Sequence, residues 1–185
     1  SVHGDDFTSS GPADALDWLE KAIAESYDIT IGPRLGPGPN DAKEARALNR
    51  IVRWVDDRIE YEADPRQVER LVQECGMVGC KPMATPGVRV GFQELEGDEP
   101  LEQRLHTAFR SAAERGNYLS ADRIDAQFGC KEICRWMSSP TQMSWKALKR
   151  LARFFAGAAR LVYVYRQQDV SHIDVYTDTD WAGCP

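Results

Sequence analysis

Residues 64–67 read Asp64-Pro65-Arg66-Gln67 and mark the start of a helix. Asp64 suits the N-cap because its carboxylate can accept a hydrogen bond from a backbone N–H group of the first turn. Pro65 fits the first helical position, and Gln67 completes the pattern of a capping box. Gly76 suits the C-terminal end, because glycine tolerates the left-handed backbone. The buried stripe between them is predicted to be Val68, Leu71, Val72 and Cys75.

Most of the predicted strands precede this helix, and most of the predicted helices follow it. Strands are predicted for a hairpin at residues 2–8 and then at 27–31, 48–55, 59–63, 161–165 and 173–177. Other helices are predicted from residue 12 to residue 23, from 101 to 112, over 123–137 and over 144–156. The order of these elements predicts the α+β class, with short antiparallel strands, a mainly helical region and a terminal strand.

The composition is that of a folded, soluble chain. Its 185 residues are 42% hydrophobic, and apolar residues are spread along the sequence, which is enough for one domain or two small ones. No apolar run approaches 18 residues, and the first residues lack the pattern of a signal peptide, so we expect no membrane segment. The first residue is Ser1 rather than Met, so we expect a piece of a longer chain.

The net charge of −6 is unevenly distributed. Residues 1–64 hold 14 acidic and 7 basic residues, whereas residues 131–166 hold 8 basic residues and one acidic residue. An acidic end and a basic segment in one chain suit a polymerase fragment, which holds metal ions at one place and nucleic-acid phosphates at another. An ordinary protein with an uneven surface remains the alternative.

Closely spaced carboxylates follow a predicted strand near each end of the chain. Asp5 and Asp6 lie in the first hairpin, and Asp178 follows the strand at residues 173–177, with Asp180 as a weaker candidate. Carboxylate oxygens are hard ligands of the kind that Mg²⁺ takes beside a phosphate. The alternatives are that Gly4-Asp5-Asp6 is simply a good turn and that Asp178 ends a solvated strand.

A second candidate site is the predicted helix at residues 144–156, which Ser144 can cap. Its basic residues fall at i, i+3, i+4 and i+7 and share one face: Lys146, Lys149, Arg150 and Arg153. Its apolar stripe is Trp145, Leu148, Leu151, Ala152 and Phe155. A helix that packs by one stripe and is basic on the next can hold a nucleic-acid backbone electrostatically. A solvated basic face is the alternative.

The five cysteines are a poor disulfide framework, since their number is odd and their spacing irregular. Cys130 and Cys134 are spaced i, i+4 on a predicted helix, where they are either metal ligands or, as we expect, buried thiols.

Five short motifs occur in one order and together resemble a known polyprotein. They are His3-Gly4-Asp5-Asp6, Lys81-Pro82-Met83-Ala84-Thr85-Pro86, Arg123-Ile124-Asp125, Ser144-Trp145-Lys146-Ala147-Leu148-Lys149-Arg150 and Tyr176-Thr177-Asp178-Thr179-Asp180-Trp181-Ala182-Gly183. They are similar to segments of the Pol polyprotein of copia-type LTR retrotransposons, from the C-terminal part of reverse transcriptase into ribonuclease H. The order of five weak motifs over nearly the whole chain is more specific than any one of them.

The resemblance implies a division into three parts. Residues 1–86 would be the C-terminal part of a reverse transcriptase palm, 87–166 a helical thumb or connection region, and 167–185 the first strand of an incomplete ribonuclease H domain. The strands before residue 64 would then be palm-like.

The resemblance also implies a function, RNA-directed DNA polymerisation with RNA cleavage on a template–primer. Asp5 and Asp6 would be catalytic Mg²⁺ ligands of the polymerase, and Asp178 of the ribonuclease H. His3 stands where the family has an aromatic residue, and Ile124 where it has Pro, so an ion pair that orients a helix start is the expected role of Arg123 and Asp125.

The resemblance places the partner residues of both metal sites outside this chain, so we expect the isolated chain not to be catalytic. A retroelement protein would be cytoplasmic or nuclear. The alternative function is that of a retroelement-derived remnant that acts as a structural or interaction subunit of a larger assembly.

Overall fold

The computed structural model of the protein describes residues 2–88, 97–168 and 171–177. Its strands are β1 (Val2–His3), β2 (Asp6–Phe7), β3 (Glu44–Ala47), β4 (Arg50–Val55), β5 (Arg58–Ala63) and β6 (Tyr163–Arg166). Its helices are α1 (Ala13–Ala24), α2 (Pro65–Glu74), α3 (His106–Ser120), α4 (Gln127–Cys134) and α5 (Gln142–Gly157), with a 3-10 turn at Gln103–Leu105. The predicted α+β class is confirmed.

The strands form two antiparallel sheets. The hairpin of β1 and β2 stands alone, whereas the other strands form a sheet in the order β3-β4-β5-β6. Within that sheet Ile51 lies opposite Glu62, and Glu60 lies opposite Val164. Strand β6 therefore follows the four helices α2 to α5 and pairs with β5, which precedes α2.

One core joins α2 to the three helices that follow it. The predicted stripe of α2 is confirmed, since Val68, Leu71, Val72 and Cys75 are all buried. The residues that surround this stripe come from α3, α4 and α5 and include Phe109, Ala112, Leu119, Cys130, Ile133, Leu148, Leu151 and Phe155. Residues on both sides of residue 86 thus share the same core.

The predicted cap of α2 is confirmed in part. The Asp64 carboxylate accepts a hydrogen bond from the Arg66 backbone N–H at 3.0 Å, Pro65 is the first helical residue, and Gly76 has a φ of +65°. Gln67 does not close a capping box. Its side-chain oxygen instead accepts a hydrogen bond at 2.7 Å from Arg115 of α3, and this contact ties the start of α2 to the helical part of the chain.

Two predicted strands are wrong. Residues 27–31 form no strand, and Tyr27 and Ile31 are exposed; residues 173–177 form none either, and Ile173 and Tyr176 are exposed. A strand needs a neighbour to take its backbone hydrogen bonds, and neither segment pairs with any described residue. Apolar alternation by itself did not reveal whether such a neighbour exists.

The predicted helices are present, with shifted ends. The helix expected over 123–137 covers only Gln127–Cys134, and Arg123 and Asp125 form an ion pair in the segment before it. The helix expected over 144–156 covers Gln142–Gly157, because Thr141 rather than Ser144 is its N-cap. In the described part of the chain no helix is long and apolar enough to cross a membrane.

Candidate nucleic-acid interface

Helix α5 is oriented by its cap and its apolar stripe. The Thr141 hydroxyl accepts a hydrogen bond from the Ser144 backbone N–H at 3.2 Å, and the Ser144 hydroxyl accepts one from the Thr141 backbone N–H at 2.9 Å. The predicted stripe faces the core, with Leu148, Leu151, Ala152 and Phe155 buried and Trp145 partly buried against it. Burial of this stripe leaves the adjacent basic face outside the core, as the spacing predicts.

The four predicted cations of α5 have different surroundings. Lys146 is exposed, and the Lys149 ammonium lies 5.2 Å from the centre of the Trp145 ring. Arg150 donates from Nη2 to the Thr85 hydroxyl at 2.7 Å, and Arg153 donates from Nε to the Lys81 carbonyl at 2.8 Å. None of the four pairs with an acidic residue in the described part of the chain.

The segment at residues 81–86 lies along this basic face. The Met83 backbone N–H donates to the Arg153 carbonyl at 3.3 Å. Pro82 packs so closely on the end of α5 that a Cβ atom at Gly157 would lie 2.6 Å from the Pro82 Cβ atom. Two motifs that are more than 55 residues apart in sequence therefore form one surface. We define the basic surface as Lys81 together with the four cations of α5, Lys146, Lys149, Arg150 and Arg153.

Lys81 and Thr85 were not among the predicted site residues. Pro82 and Pro86 are typical of a linker, because proline is excluded from the interior of a helix and from a central strand, and they do not indicate a binding site. The available signal was that this linker and α5 both carry motifs of the same family. Spacing in sequence gives no information on contacts between separate segments, so only the fold brings Lys81 to the basic helix.

Arg123 and Asp125 form the predicted ion pair, which lies at the C-terminal end of α5. Arg123 is 1% exposed and donates to the two carboxylate oxygens of Asp125 at 2.9 and 2.7 Å. The same guanidinium donates to the carbonyls of Ala158 at 2.8 Å and Ala159 at 3.4 Å, and lies 4.7 Å from the Phe155 ring centre. The pair thus satisfies carbonyl groups just beyond the C-terminal end of α5, where a cation is favoured.

The hairpin of β1 and β2 carries the two predicted metal ligands Asp5 and Asp6. Gly4 has a φ of +62° in the turn, Asp6 lies opposite His3 in the β1–β2 pair, and Asp5 and Asp6 are exposed. Carboxylate oxygens suit Mg²⁺ chemically, but no group of three or more His, Cys, Asp or Glu residues in the described ranges could hold a metal ion. Within the described residues, Asp5 and Asp6 are therefore joined by no third His, Cys, Asp or Glu ligand. Asp178 and Asp180 lie outside the described residues.

Other carboxylates are buried, but arginines already hold them. Glu62 pairs with Arg53 and Arg160, Asp64 with Arg46 and Arg66, and Asp122 with Arg50. The Arg66 guanidinium beside Asp64 holds the pKa of that carboxyl below its usual range. Burial alone would raise the pKa of Glu62, but the Arg160 and Arg53 guanidiniums outweigh it and lower the pKa. These groups join the sheet to the helices and are not available to a metal.

The two cysteines of α4 pack as thiols. Cys130 is 1% exposed, and burial raises its pKa to about 12. Cys134 is half-buried, with its thiol 3.7 Å from the Ala113 carbonyl oxygen, to which it donates. The expectation of a buried thiol is confirmed for Cys130.

Comparison with known proteins shows the class of protein to which this chain is similar. The chain is 28% identical to the Retrovirus-related Pol polyprotein from transposon RE2 of Arabidopsis thaliana over 61% of its length. It is 26% identical to the corresponding polyprotein from transposon RE1 of the same plant over 64% of its length. The resemblance to retrotransposon Pol polyproteins that the motifs predict is therefore confirmed.

A third relative is the Uncharacterized mitochondrial protein AtMg00810 of Arabidopsis thaliana, which is 27% identical over 128 residues, or 67% of this chain. The alignment covers half of that protein and 8% of each Pol polyprotein. No protein-family model matches the chain, and no solved structure matches it.

Proposed function

We propose that this chain is a segment of a retroelement reverse transcriptase and ribonuclease H polyprotein, and that its basic surface contacts the phosphate backbone of an RNA or DNA template–primer. The similarity to two Pol polyproteins supports the class. In this proposal the helical part of the chain positions nucleic acid, and polymerisation and RNA cleavage belong to the whole polyprotein.

One observation carries the proposal, which is the uncompensated charge of α5. The helix holds four cations and no acidic residue over Gln142–Gly157, although the whole chain has a net charge of −6. Among the other arginines of the described ranges, most pair with a carboxylate. A local group of unpaired cations is the electrostatic surface that attracts phosphates and releases counterions when they bind.

The members of the basic surface have two different tasks in this proposal. Lys146 and Lys149 end in ammonium groups that make no hydrogen bond within the described residues, so they are the direct phosphate contacts. Arg150 and Arg153 hold the segment at residues 81–86 and keep Lys81 beside the helix. Substituting all four cations at once would also release this segment, so the two tasks need separate variants.

The test is the salt dependence of binding to a single-stranded oligonucleotide of mixed sequence. We expect Lys146→Gln with Lys149→Gln to flatten the slope of log affinity against log salt by about 1.5 units, because each phosphate contact contributes about 0.7 to 0.9. The matched control is Lys21→Gln with Arg104→Gln, which removes the same charge from exposed positions outside the basic surface. Equal slopes in the two double variants, or no binding at low salt, would contradict the proposal.

The hairpin with Asp5 and Asp6 has a role in this proposal only as part of the whole polyprotein with its substrate bound. Asp5 and Asp6 would supply two of the Mg²⁺ ligands of the polymerase when the rest of the polyprotein and the substrate phosphates supply the others, and Asp178 would do so for the ribonuclease H. Two exposed carboxylates without substrate phosphates hold Mg²⁺ only weakly, because Mg²⁺ dehydrates reluctantly. The isolated chain is accordingly a nucleic-acid-contacting segment rather than an enzyme.

A further inference from the structure

We propose that Thr85 is a phosphorylation site, that Arg150 holds the phosphate, and that the modification neutralises the basic surface. The site itself stands on the geometry around Thr85, whereas its effect on nucleic acid rests on the proposed function. The reaction would be phosphoryl transfer from ATP by a proline-directed serine/threonine kinase.

The local backbone around Thr85 is suited to a kinase substrate. Thr85 is exposed and precedes Pro86, and a residue before proline is held in an extended conformation. The segment belongs to no helix or strand, and its two prolines lack the N–H group that would tie it into one. One backbone–backbone hydrogen bond, from Met83 to Arg153, and the side chains of Arg150 and Arg153 join it to α5, so its local release costs less than unfolding of the core.

The surroundings of Thr85 are suited to a phosphate. Its hydroxyl oxygen already lies 2.7 Å from Nη2 of Arg150. The Nε atom of the same guanidinium is buried and has no hydrogen-bond partner in the described part of the chain. Phosphate on threonine adds three strong acceptor oxygens and close to two negative charges, which arginine binds through two parallel hydrogen bonds. Thr85 therefore carries its hydroxyl where a phosphate would find an unsatisfied donor.

The chemistry of the step balances without any further reactant. Oγ1 of Thr85 forms a bond to the γ-phosphorus of ATP, and the bond from that phosphorus to the β–γ bridging oxygen breaks. ADP leaves with the electron pair of that bond, and the hydroxyl proton is released to the kinase base or to water. The product places a dianion beside Arg150. Helix α5, which carries most of the basic surface, contains no acidic residue.

The chain contains a matched comparison at Ser139, the other serine or threonine that precedes a proline. Ser139 is exposed, but Pro140 is buried and its carbonyl accepts a hydrogen bond from the Leu101 backbone N–H at 2.9 Å. Thr141 then caps α5, so this backbone is fixed on both sides. Ser139 also has no arginine hydrogen-bonded to its hydroxyl within the described residues. It has the sequence pattern of Thr85 without the accessible backbone or the arginine.

The first experiment treats the whole folded chain with a purified proline-directed kinase and ATP, followed by intact mass measurement and peptide mapping. We expect one phosphate at Thr85, which Thr85→Ala abolishes and Ser139→Ala leaves unchanged. A synthetic peptide with the sequence of residues 78–88 serves as the unfolded reference. Modification of that peptide but not of Thr85 in the folded chain, or modification at Ser139 alone, would overturn the proposal.

The second experiment tests the arginine. In a ³¹P NMR titration, the second pKa of the phosphate should be lower in the folded chain than in the phosphorylated peptide, because Arg150 favours the dianion. The thermal midpoint should rise by about 2–4 °C on phosphorylation, since one or more charge-assisted hydrogen bonds are gained. Both effects should be lost in Arg150→Gln and partly kept in Arg150→Lys. If the phosphate has the same second pKa in the folded chain as in the peptide, Arg150 does not hold it. This result would overturn the proposal even if the Arg150 variants fail to fold.

Oligonucleotide binding separates this inference from the function on which its effect rests. If the basic surface binds nucleic acid, phosphorylation should weaken binding about tenfold and flatten the salt slope by up to about 2 units. Binding that phosphorylation leaves unchanged would overturn the regulatory part. If the unmodified chain shows no binding while the phosphate still titrates with Arg150, the proposed function fails and the phosphorylation site stands.

Discussion

The carboxylate of Glu62 accepts two hydrogen bonds from the Arg160 guanidinium, at 2.8 and 2.7 Å, although 98 residues separate the two in sequence. Glu62 lies in β5, and Arg160 lies between α5 and β6. The pair fixes the chain just before β6 joins the sheet beside β5. Glu62 is 1% exposed, whereas the Arg160 side chain is 54% exposed, so the pair joins a buried carboxylate to a guanidinium at the surface.

Glu62→Gln should lower the free energy of unfolding by about 2 kcal/mol at pH 7, because Arg53 and Arg160 lose the charge of the buried carboxylate that both of them contact. Urea unfolding measures this change. The control is Glu44→Gln, which removes another carboxylate partner of Arg53 at a half-exposed position and should cost less than about 0.5 kcal/mol. Equal costs for the two variants would mean that the pair with Arg160 contributes nothing measurable.

The pH dependence of stability should follow from the same pair. The pKa of Glu62 is lowered in the fold, so its contribution is fully present above its ordinary pKa of 4.5 and is lost as the pH falls through the folded value. Asp64, whose pKa is also lowered, acts in the same direction below its ordinary value of 3.8. Unfolding free energies measured between pH 7 and pH 2 should therefore fall in this acid window. The fall should be smaller in Glu62→Gln than in the wild type, and an unchanged fall would contradict the assignment.

Arg123→Met should destabilise the protein by about 3–5 kcal/mol, because it leaves Asp125 without its partner and removes the donors to the Ala158 and Ala159 carbonyls. Arg123→Lys keeps the charge but loses the planar fork, so we expect it to recover less than half of the loss. Thermal and urea unfolding measure both variants. Arg104→Met, at a position with 78% side-chain exposure, is the control and should change stability by less than about 0.5 kcal/mol.

Gly157→Ala should displace the segment at residues 81–86 from α5. Alanine gains up to about 1 kcal/mol of helix propensity over glycine. Its Cβ atom, however, would lie 2.6 Å from that of Pro82, so the segment must shift and the Met83 hydrogen bond to Arg153 must lengthen. Faster hydrogen exchange at the Met83 amide is the expected result. Gly87→Ala is the control, because its Cβ atom would meet its nearest neighbour at 3.8 Å.

The helical part of the fold could be predicted from sequence because its signals are local. The stripe of α2, the stripe of α5 and the ion pair of Arg123 each depend on residues within one or two turns of each other. The edge strand β3 was missed for a physical reason. The turn from β3 to β4 places Leu48 and Asn49 at φ of 51° and 59°, and leucine gives no turn signal.

Contacts between distant segments hold that turn and also build the basic surface. The Leu48 carbonyl accepts a hydrogen bond from the Tyr118 hydroxyl at 3.0 Å, a contact across 70 residues. In the same way, the cations of α5 could be predicted from their spacing, whereas the roles of Arg150 and Arg153 in holding residues 81–86 could not. Periodicity predicts which face a residue occupies, but the partner on that face depends on the tertiary fold.

The affinity of the isolated chain for Mg²⁺ should be weak, with a dissociation constant on the order of 1 mM or higher. Asp5 and Asp6 are exposed, and the described residues add no third ligand to them. Calorimetric titration of the wild type should match that of the variant with Asp5→Asn and Asp6→Asn. The chain should likewise fail to extend a primer with template, deoxynucleotides and Mg²⁺. Micromolar binding lost in the double variant, or primer extension abolished by Asp5→Asn, would show that the hairpin is part of a complete site within this chain.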